Sequence, residues 1–153
     1  MTQDTTDPRW TPHVTVATLV EKGDKFLLVR EKPDEHIVYN QPAGHLDEGE
    51  GIIEAAVRET LEETAWEVDI TGYLGVYRSV APNGITYLRH GFIARPVRFH
   101  DNRPLDEPII DTCWMSYDEI VKKQAEMRSS MVKQLIDDYY TGLIYPLTLF
   151  HEP

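Results

Sequence analysis

An α/β fold with a mixed sheet packed between helices is predicted by three observations. Strand-like runs lie on both sides of one long amphipathic helix, and further helical pattern is confined to the last quarter of the chain. A length of 153 residues with 41% hydrophobic content suits one ordinary core, and nothing points to a second domain. The order of strands, helix, strands and helices then places helices against both faces of the sheet.

Residues Met1 to Thr11 read as a flexible N-terminal tail, so the domain spans residues 12–153. His13–Val20 and Lys25–Arg30 are apolar and strand-length, and Lys22-Gly23-Asp24 between them is a hairpin signal. Glu31 to His36, charged and bearing a proline, is a loop. A short extended piece follows at Ile37 to Gln41, and Pro42-Ala43-Gly44 turns the chain. The long helix covers Gly51 to Thr64. Val68–Ser79 and Ile85–Ala94 alternate around Pro82-Asn83-Gly84 and predict a second hairpin. Ser116 with Glu119 matches a capping box and opens a short helix, while Ser129 or Ser130 caps a longer one, Met131 to Tyr140, ended by Gly142.

The helix Gly51 to Thr64 carries the chemistry. At about 100° per residue, Glu59, Glu62 and Glu63 project into an arc of roughly 100°, beside an apolar face of Ile53, Ala56, Val57, Thr60, Leu61 and Thr64. Three carboxylates on one edge of a buried platform suit a divalent cation that prefers oxygen ligands. Arg58 lies four residues from both Glu54 and Glu62 and can orient either acid. Glu50 precedes the helix, where a carboxylate interacts favourably with its positive end. A Glu-Glu pair on a surface helix is ordinarily a solvated face. Gly44, Glu50, Arg58-Glu59 and Glu62-Glu63 at their fixed spacing are far more specific.

That spacing resembles the Nudix box, G-x5-E-x7-R-E-U-x-E-E-x-G-U with U aliphatic, the signature of hydrolases acting on nucleoside diphosphates linked to another moiety. Two positions depart: Thr60 stands for an aliphatic residue and Ala65 for the glycine near the helix end. Neither removes a carboxylate. Ala65 either takes a left-handed cap at a cost of roughly 1 kcal/mol or lets the helix run on. The resemblance implies an α/β/α sandwich, and a magnesium ion, replaceable by manganese, held by Glu59, Glu62, Glu63 and the carbonyl of Gly44. Arg58 and Glu50 then stand behind these ligands. Hydrolysis of a phosphoanhydride needs the charge on the bridging and leaving oxygens neutralised and a water placed in line. Glu59 is the first choice of base. Family members often place the base on a loop outside the box, which leaves Asp106, Glu107 and Asp111 as alternatives that spacing does not separate.

The flanks narrow the resemblance. PHVTVATLV, YNQPAGHL, YLRHGFIAR, DTCWMSYDEI and LIYPL are similar to a bacterial phosphatase branch of the same family. This implies hydrolysis of nucleoside di- and triphosphates, hydroxymethylpyrimidine pyrophosphate and thiamine pyrophosphate, with release of inorganic phosphate. An ordinary pyrophosphohydrolase shares the box. A nucleotide-sensing module without turnover is expected to lack box carboxylates, and this chain keeps them all. For substrate contacts, Tyr39, Trp66, Tyr77 and Tyr87 offer flat rings, and Arg78 or Arg89 a cation for phosphate. Most aromatics of this kind are core. Arg89 stands out because it lies within an otherwise apolar strand run.

Charge limits the partners. Lys+Arg 15 against Asp+Glu 26 gives a formal net charge of −11, which repels a long phosphate backbone and leaves a small phosphorylated metabolite as the expected ligand. The single Cys113 excludes an internal disulfide, and the polar opening Met1 to Pro8 lacks a secretory h-region, so a reducing cytoplasm is expected. Apolar runs such as Val14–Val20 are too short to cross a bilayer.

Overall fold

The computed structural model describes residues 9–153. The first eight residues of the expected tail, Met1 to Pro8, lie outside this range. Seven strands form a branched mixed sheet: β1 (His13–Lys22), β2 (Lys25–Glu31), β3 (Val38–Asn40), β4 (Ala43–His45), β5 (Trp66–Val80), β6 (Thr86–Phe99) and β7 (Ile109–Ser116). The principal order is β3-β2-β1-β6-β5, with β4 paired to β1 and β7 paired to β2. β1 and β6 run parallel, from His13 opposite Tyr87 to Val20 opposite Ala94, and the other named pairs are antiparallel.

The two-residue period of the strands separates two cores. Val16 and Val20 of β1, Leu27 of β2, and Phe92 and Ala94 of β6 face α1 (Ile52–Thr64), packing with its Ala55 and Ala56. Ala17, Leu19, Phe26, Leu28 and Ile93 face the other way, onto Ile120 of α2 (Tyr117–Lys122) and Val132, Leu135 and Ile136 of α3 (Met131–Tyr140). The result is the α/β/α sandwich that the element order predicts.

Both hairpins and all three helices form where the pattern places them. Three local features differ. Pro42-Ala43-Gly44, read as a turn, contributes Ala43 and Gly44 to the edge strand β4. β7 has no counterpart in the sequence reading, because its half-exposed residues show no clean alternation and its order comes from seven pairings with β2. Finally, Ser130 occupies the position before α3, but the side chain that bonds its first turn is Ser129, whose Oγ accepts from Met131 N at 3.2 Å. The capping box at Ser116 and Glu119 is complete.

Both ends of α1 are unusual. Ala65 adopts the left-handed conformation, φ 63°, and its N–H reaches Leu61 O at 2.9 Å. The helix therefore stops on schedule despite lacking glycine there. Thr60 and Thr64 are buried, and their hydroxyls donate back to Ala56 O and Thr60 O, which satisfies them inside the core. At the other end Gly51 has no side chain to cap with, and Glu152 from the far end of the chain accepts from Ile52 N at 2.8 Å. A carboxylate there both pairs an orphan N–H and meets the positive helix end. Glu152→Ala is accordingly expected to lower stability by about 0.5–1 kcal/mol, as read by urea unfolding, with a smaller loss in high salt. Unchanged unfolding would remove Glu152 as the cap.

Candidate active site

Arg58, at the middle of α1, is the hub of the acidic cluster. Its Nε donates to Glu50 Oε2 at 2.6 Å and one terminal nitrogen donates to Glu50 Oε1 at 2.9 Å and to the His45 carbonyl at 3.0 Å. The other terminal nitrogen donates to Glu59 Oε1 at 2.9 Å and to Glu62 Oε2 at 3.0 Å. Asp47 stands 3.4 Å away. Of the two acids at helical spacing, Glu62 is bound and Glu54 is exposed and takes no part in the fan. Glu50 folds back onto Arg58 and also accepts from Asp47 N at 3.1 Å, while Glu152 occupies the helix end. Pairing with several acids raises Arg58 above its ordinary value, and the Arg58 hydrogen bonds hold Glu50 below the usual carboxylate range.

Glu63 points away from Arg58, toward β4, where its Oε1 accepts from Ala43 N at 2.7 Å. Burial pushes its carboxyl up to about 8, a rise that the Ala43 bond opposes and that Glu59, Glu31 and Asp106 reinforce. Burial likewise raises Glu59, against the pull of Arg58 and with help from Glu62 and Asp106. Gly44 lies directly against the Glu59 carboxyl, and any Cβ at this position would collide with it. A side chain here would push the Glu59 carboxyl off its Arg58 bond.

The chemistry of this donor set suits a hard divalent cation: carboxylate and carbonyl oxygens, several of them buried in one another's field, with Arg58 as the cation that bonds them. In their present positions the acids are drawn to Arg58 and to the Ala43 amide, and no group of three among the described residues converges to hold an ion. Glu59 and Glu62 are thus gathered on Arg58, as the helical period requires, while Glu63 and Gly44 are set beside them through β4.

The other sequence-derived candidates are spread more widely. Asp106 is tied to α1 through its N–H, which donates to Glu62 O at 3.0 Å, and its charge bears on both Glu59 and Glu63. Asp111 sits on β7 in a two-pronged pair with Arg30, at 2.8 and 2.5 Å, and Glu107 is exposed before that strand. Arg89 donates to Gln41 Oε1 at 2.9 Å and to Asn40 Oδ1 at 3.3 Å, while its Nε is buried without a partner. Burial lowers it to about 10, Arg128 adding to the fall and Glu31 and Glu63 opposing it. Tyr77 is committed to α3, its hydroxyl donating to Asp138 at 2.6 Å. Trp66 packs with Phe99 and Trp114, and Arg78 is exposed.

Tyr39 gives its carbonyl to Arg128 N at 2.8 Å. Tyr87 stands edge-on to His13 and His45, whose ring nitrogens are 3.1 Å apart. These histidines line an open cleft of about 460 Å³ that continues along Asp47 and Glu48 to Glu50. Glu31, His45 and the Ala43 amide have no signal in the local sequence and come to the cluster through strand pairing, and Arg128 reaches Glu31 from the segment before α3.

A NUDIX domain model matches residues 11–136, most of the chain. The chain belongs to the Nudix hydrolase family. It is 37% identical over 139 residues to Phosphatase NudJ of Escherichia coli (strain K12), covering 90% of both. A NUDIX hydrolase from Nitrosomonas europaea is 45% identical, with a TM-score of 0.91 over 94% of this chain and 98% of that one. A MutT protein from Methanosarcina mazei, 17% identical with a TM-score of 0.70 over 86% of this chain and 96% of its own, shares the fold. The chain is therefore a Nudix hydrolase, a family of phosphoanhydride-cleaving enzymes that generally employ a divalent metal. No helix among the described residues is long and apolar enough to cross a membrane.

The raised Glu63 has a consequence for the metal-free protein. Between about 4.5, its ordinary value, and about 8, the folded state binds a proton that the unfolded state has released. Stability from this group is full below about 4.5 and is lost as pH rises toward 8. Urea unfolding in a chelator should show that decline, and Glu63→Gln should flatten it and be the more stable protein at pH 8. Equal pH profiles for the two proteins would contradict the burial of Glu63.

Proposed function

We propose that this enzyme hydrolyses phosphoanhydride bonds of small phosphorylated metabolites in the cytoplasm with magnesium, which manganese can replace. Nucleoside di- and triphosphates and hydroxymethylpyrimidine or thiamine pyrophosphate are the proposed substrates, and inorganic phosphate is the product. The observation that carries this reading is the fan of Glu50, Glu59 and Glu62 on Arg58, with Glu63 and Gly44 alongside. The similarity to NudJ, a phosphatase by name, supports the product assignment.

Glu59, Glu62, Glu63 and the Gly44 carbonyl are the proposed metal ligands. The ion would neutralise phosphate charge and acidify a bound water. Arg58 is the positioning residue: it fixes Glu59 and Glu62 through one nitrogen and is itself fixed by Glu50 and the His45 carbonyl. Glu59 is the proposed base. Its raised affinity for protons suits acceptance of one from water. Asp106, held against α1, is the better placed of the alternatives outside the box, since Asp111 is engaged by Arg30. Arg89 is the proposed phosphate contact, and Tyr87, with His13 and His45 at the cleft mouth, the proposed ring contact.

Glu62→Gln and Glu63→Gln are expected to lower turnover by about a hundredfold or more with the fold intact. Near-normal turnover by both at modest magnesium would remove them as ligands. Bond choice is tested by hydrolysing a nucleoside triphosphate in oxygen-labelled water with mass analysis of the products. Label in released phosphate, with a diphosphate appearing transiently, is expected. Predominant pyrophosphate with no diphosphate would place the protein among the ordinary pyrophosphohydrolases.

A further inference from the structure

A second group of charges lies beside the box, outside the motif. Glu31, at the end of β2, is only 4% exposed, and its Oε1 accepts from Arg128 at 2.7 Å. The Arg128 backbone N–H is bonded to Tyr39 O, and Tyr39 pairs with Arg30 next to Glu31. Arg89 also bonds this short segment, at Asn40 and Gln41. Two arginines therefore bond residues 39–41, which lead through Pro42 to Ala43, the residue whose amide holds Glu63.

Arg89 is held in place without being satisfied. The Gln41 side chain is fully buried and its amide nitrogen donates to Val132 O at 2.6 Å, which turns its oxygen toward Arg89. Arg89 thus bonds two neutral amide oxygens, and its Nε keeps a buried N–H with no acceptor. A guanidinium buried on neutral partners is costly unless an anion is to be received. Arg128 has an anionic partner, but that partner is the nearly buried Glu31, whose charge also bears on Glu63 and Arg89. Glu31 bonds Arg128 and its charge also acts on Arg89, so two cations share one carboxylate at the edge of the acidic cluster, an arrangement suited to a doubly charged tetrahedral group.

We propose that Arg89 and Arg128 together form the pocket for the substrate's terminal phosphoryl group, with Glu31 the counter-charge that a bound phosphate replaces on Arg128. This rests on the reading of the site as a phosphoanhydride hydrolase and adds Arg128 and Glu31 as specificity-determining residues. The pocket recognises a terminal phosphate monoester end, with its two charges, in preference to a phosphate esterified on both sides, which carries one charge and an added substituent.

Turnover is not needed to test it. The probe is imidodiphosphate, the nitrogen-bridged analogue of pyrophosphate, titrated calorimetrically into the full chain in excess magnesium. Arg128→Gln should weaken binding about tenfold or more, and Arg128→Lys by less. Glu31→Gln should tighten it several-fold, because the competing charge is gone. Arg95→Gln, on an exposed pair with Asp69 elsewhere on β6, should leave it unchanged. A merely structural Glu31–Arg128 pair gives no such opposition: shifts of equal sign in Arg128→Gln and Glu31→Gln, or no shift in either, overturn the proposal, as does failure of the wild type to bind the probe. If Arg128→Gln does not fold, Arg128→Lys and Glu31→Gln still carry the opposite signs. Correct signs in a protein that cleaves no phosphoanhydride would leave the pocket standing and refute the hydrolase assignment. Cleavage with the wrong signs would do the reverse.

Discussion

The acidic edge of α1 is organised by mutual repulsion that one guanidinium contains. Glu50, Glu59 and Glu62 all bond Arg58, and Asp47 stands within ion-pair range. Side chains three or four apart on a helix face one another, so the box places its acids where none can avoid the others. Arg58 holds two of them through a single nitrogen and locks its own fork on Glu50 and the His45 carbonyl. Glu63 lies beyond that fork and is left to an amide and to burial, and burial pushes its carboxyl well above the usual carboxylate range.

The sheet supplies what the helix lacks. β4 brings the Ala43 amide to Glu63 and the bare Cα of Gly44 to Glu59, and it can do so because β1 accepts it as an edge strand from Thr15 to Ala17. The same β1 pairs in parallel with β6, which sets Arg89 opposite Thr15 and therefore in one row with His45. Box, arginine and cleft histidines are distant in sequence and become neighbours through one strand. Burial of Val16, Val20 and Leu27 under Ala55 and Ala56 keeps that strand and α1 in fixed relation.

What was legible in the sequence was what depends on short range. A helical edge of three acids, an arginine at four-residue spacing and a capping box at Ser116 are periodic or local, and the structure forms each of them. Whatever depends on register between strands was not legible. Asp111 was one of three acids outside the box that spacing did not separate, and pairing of β7 with β2 delivers it to Arg30. Glu31 looked like the first residue of a charged loop and is a buried strand end. Arg128 has no local motif at all and reaches Glu31 from the far side of the sequence. Ala65 lies between these cases: the sequence posed two outcomes, and the structure takes the left-handed one.

The claim on which the rest depends is that this carboxylate cluster exists to take up a divalent cation, whose charge replaces the proton on Glu63. Calorimetric titration of metal-free protein with magnesium near pH 7, repeated in buffers of different ionisation enthalpy, measures that exchange directly. Proton release on magnesium binding is expected from the wild type, because burial pushes Glu63 up to about 8 before the ion binds, and clearly less release from Glu63→Gln. Binding of magnesium with no proton released, or with the same release from both proteins, would contradict it.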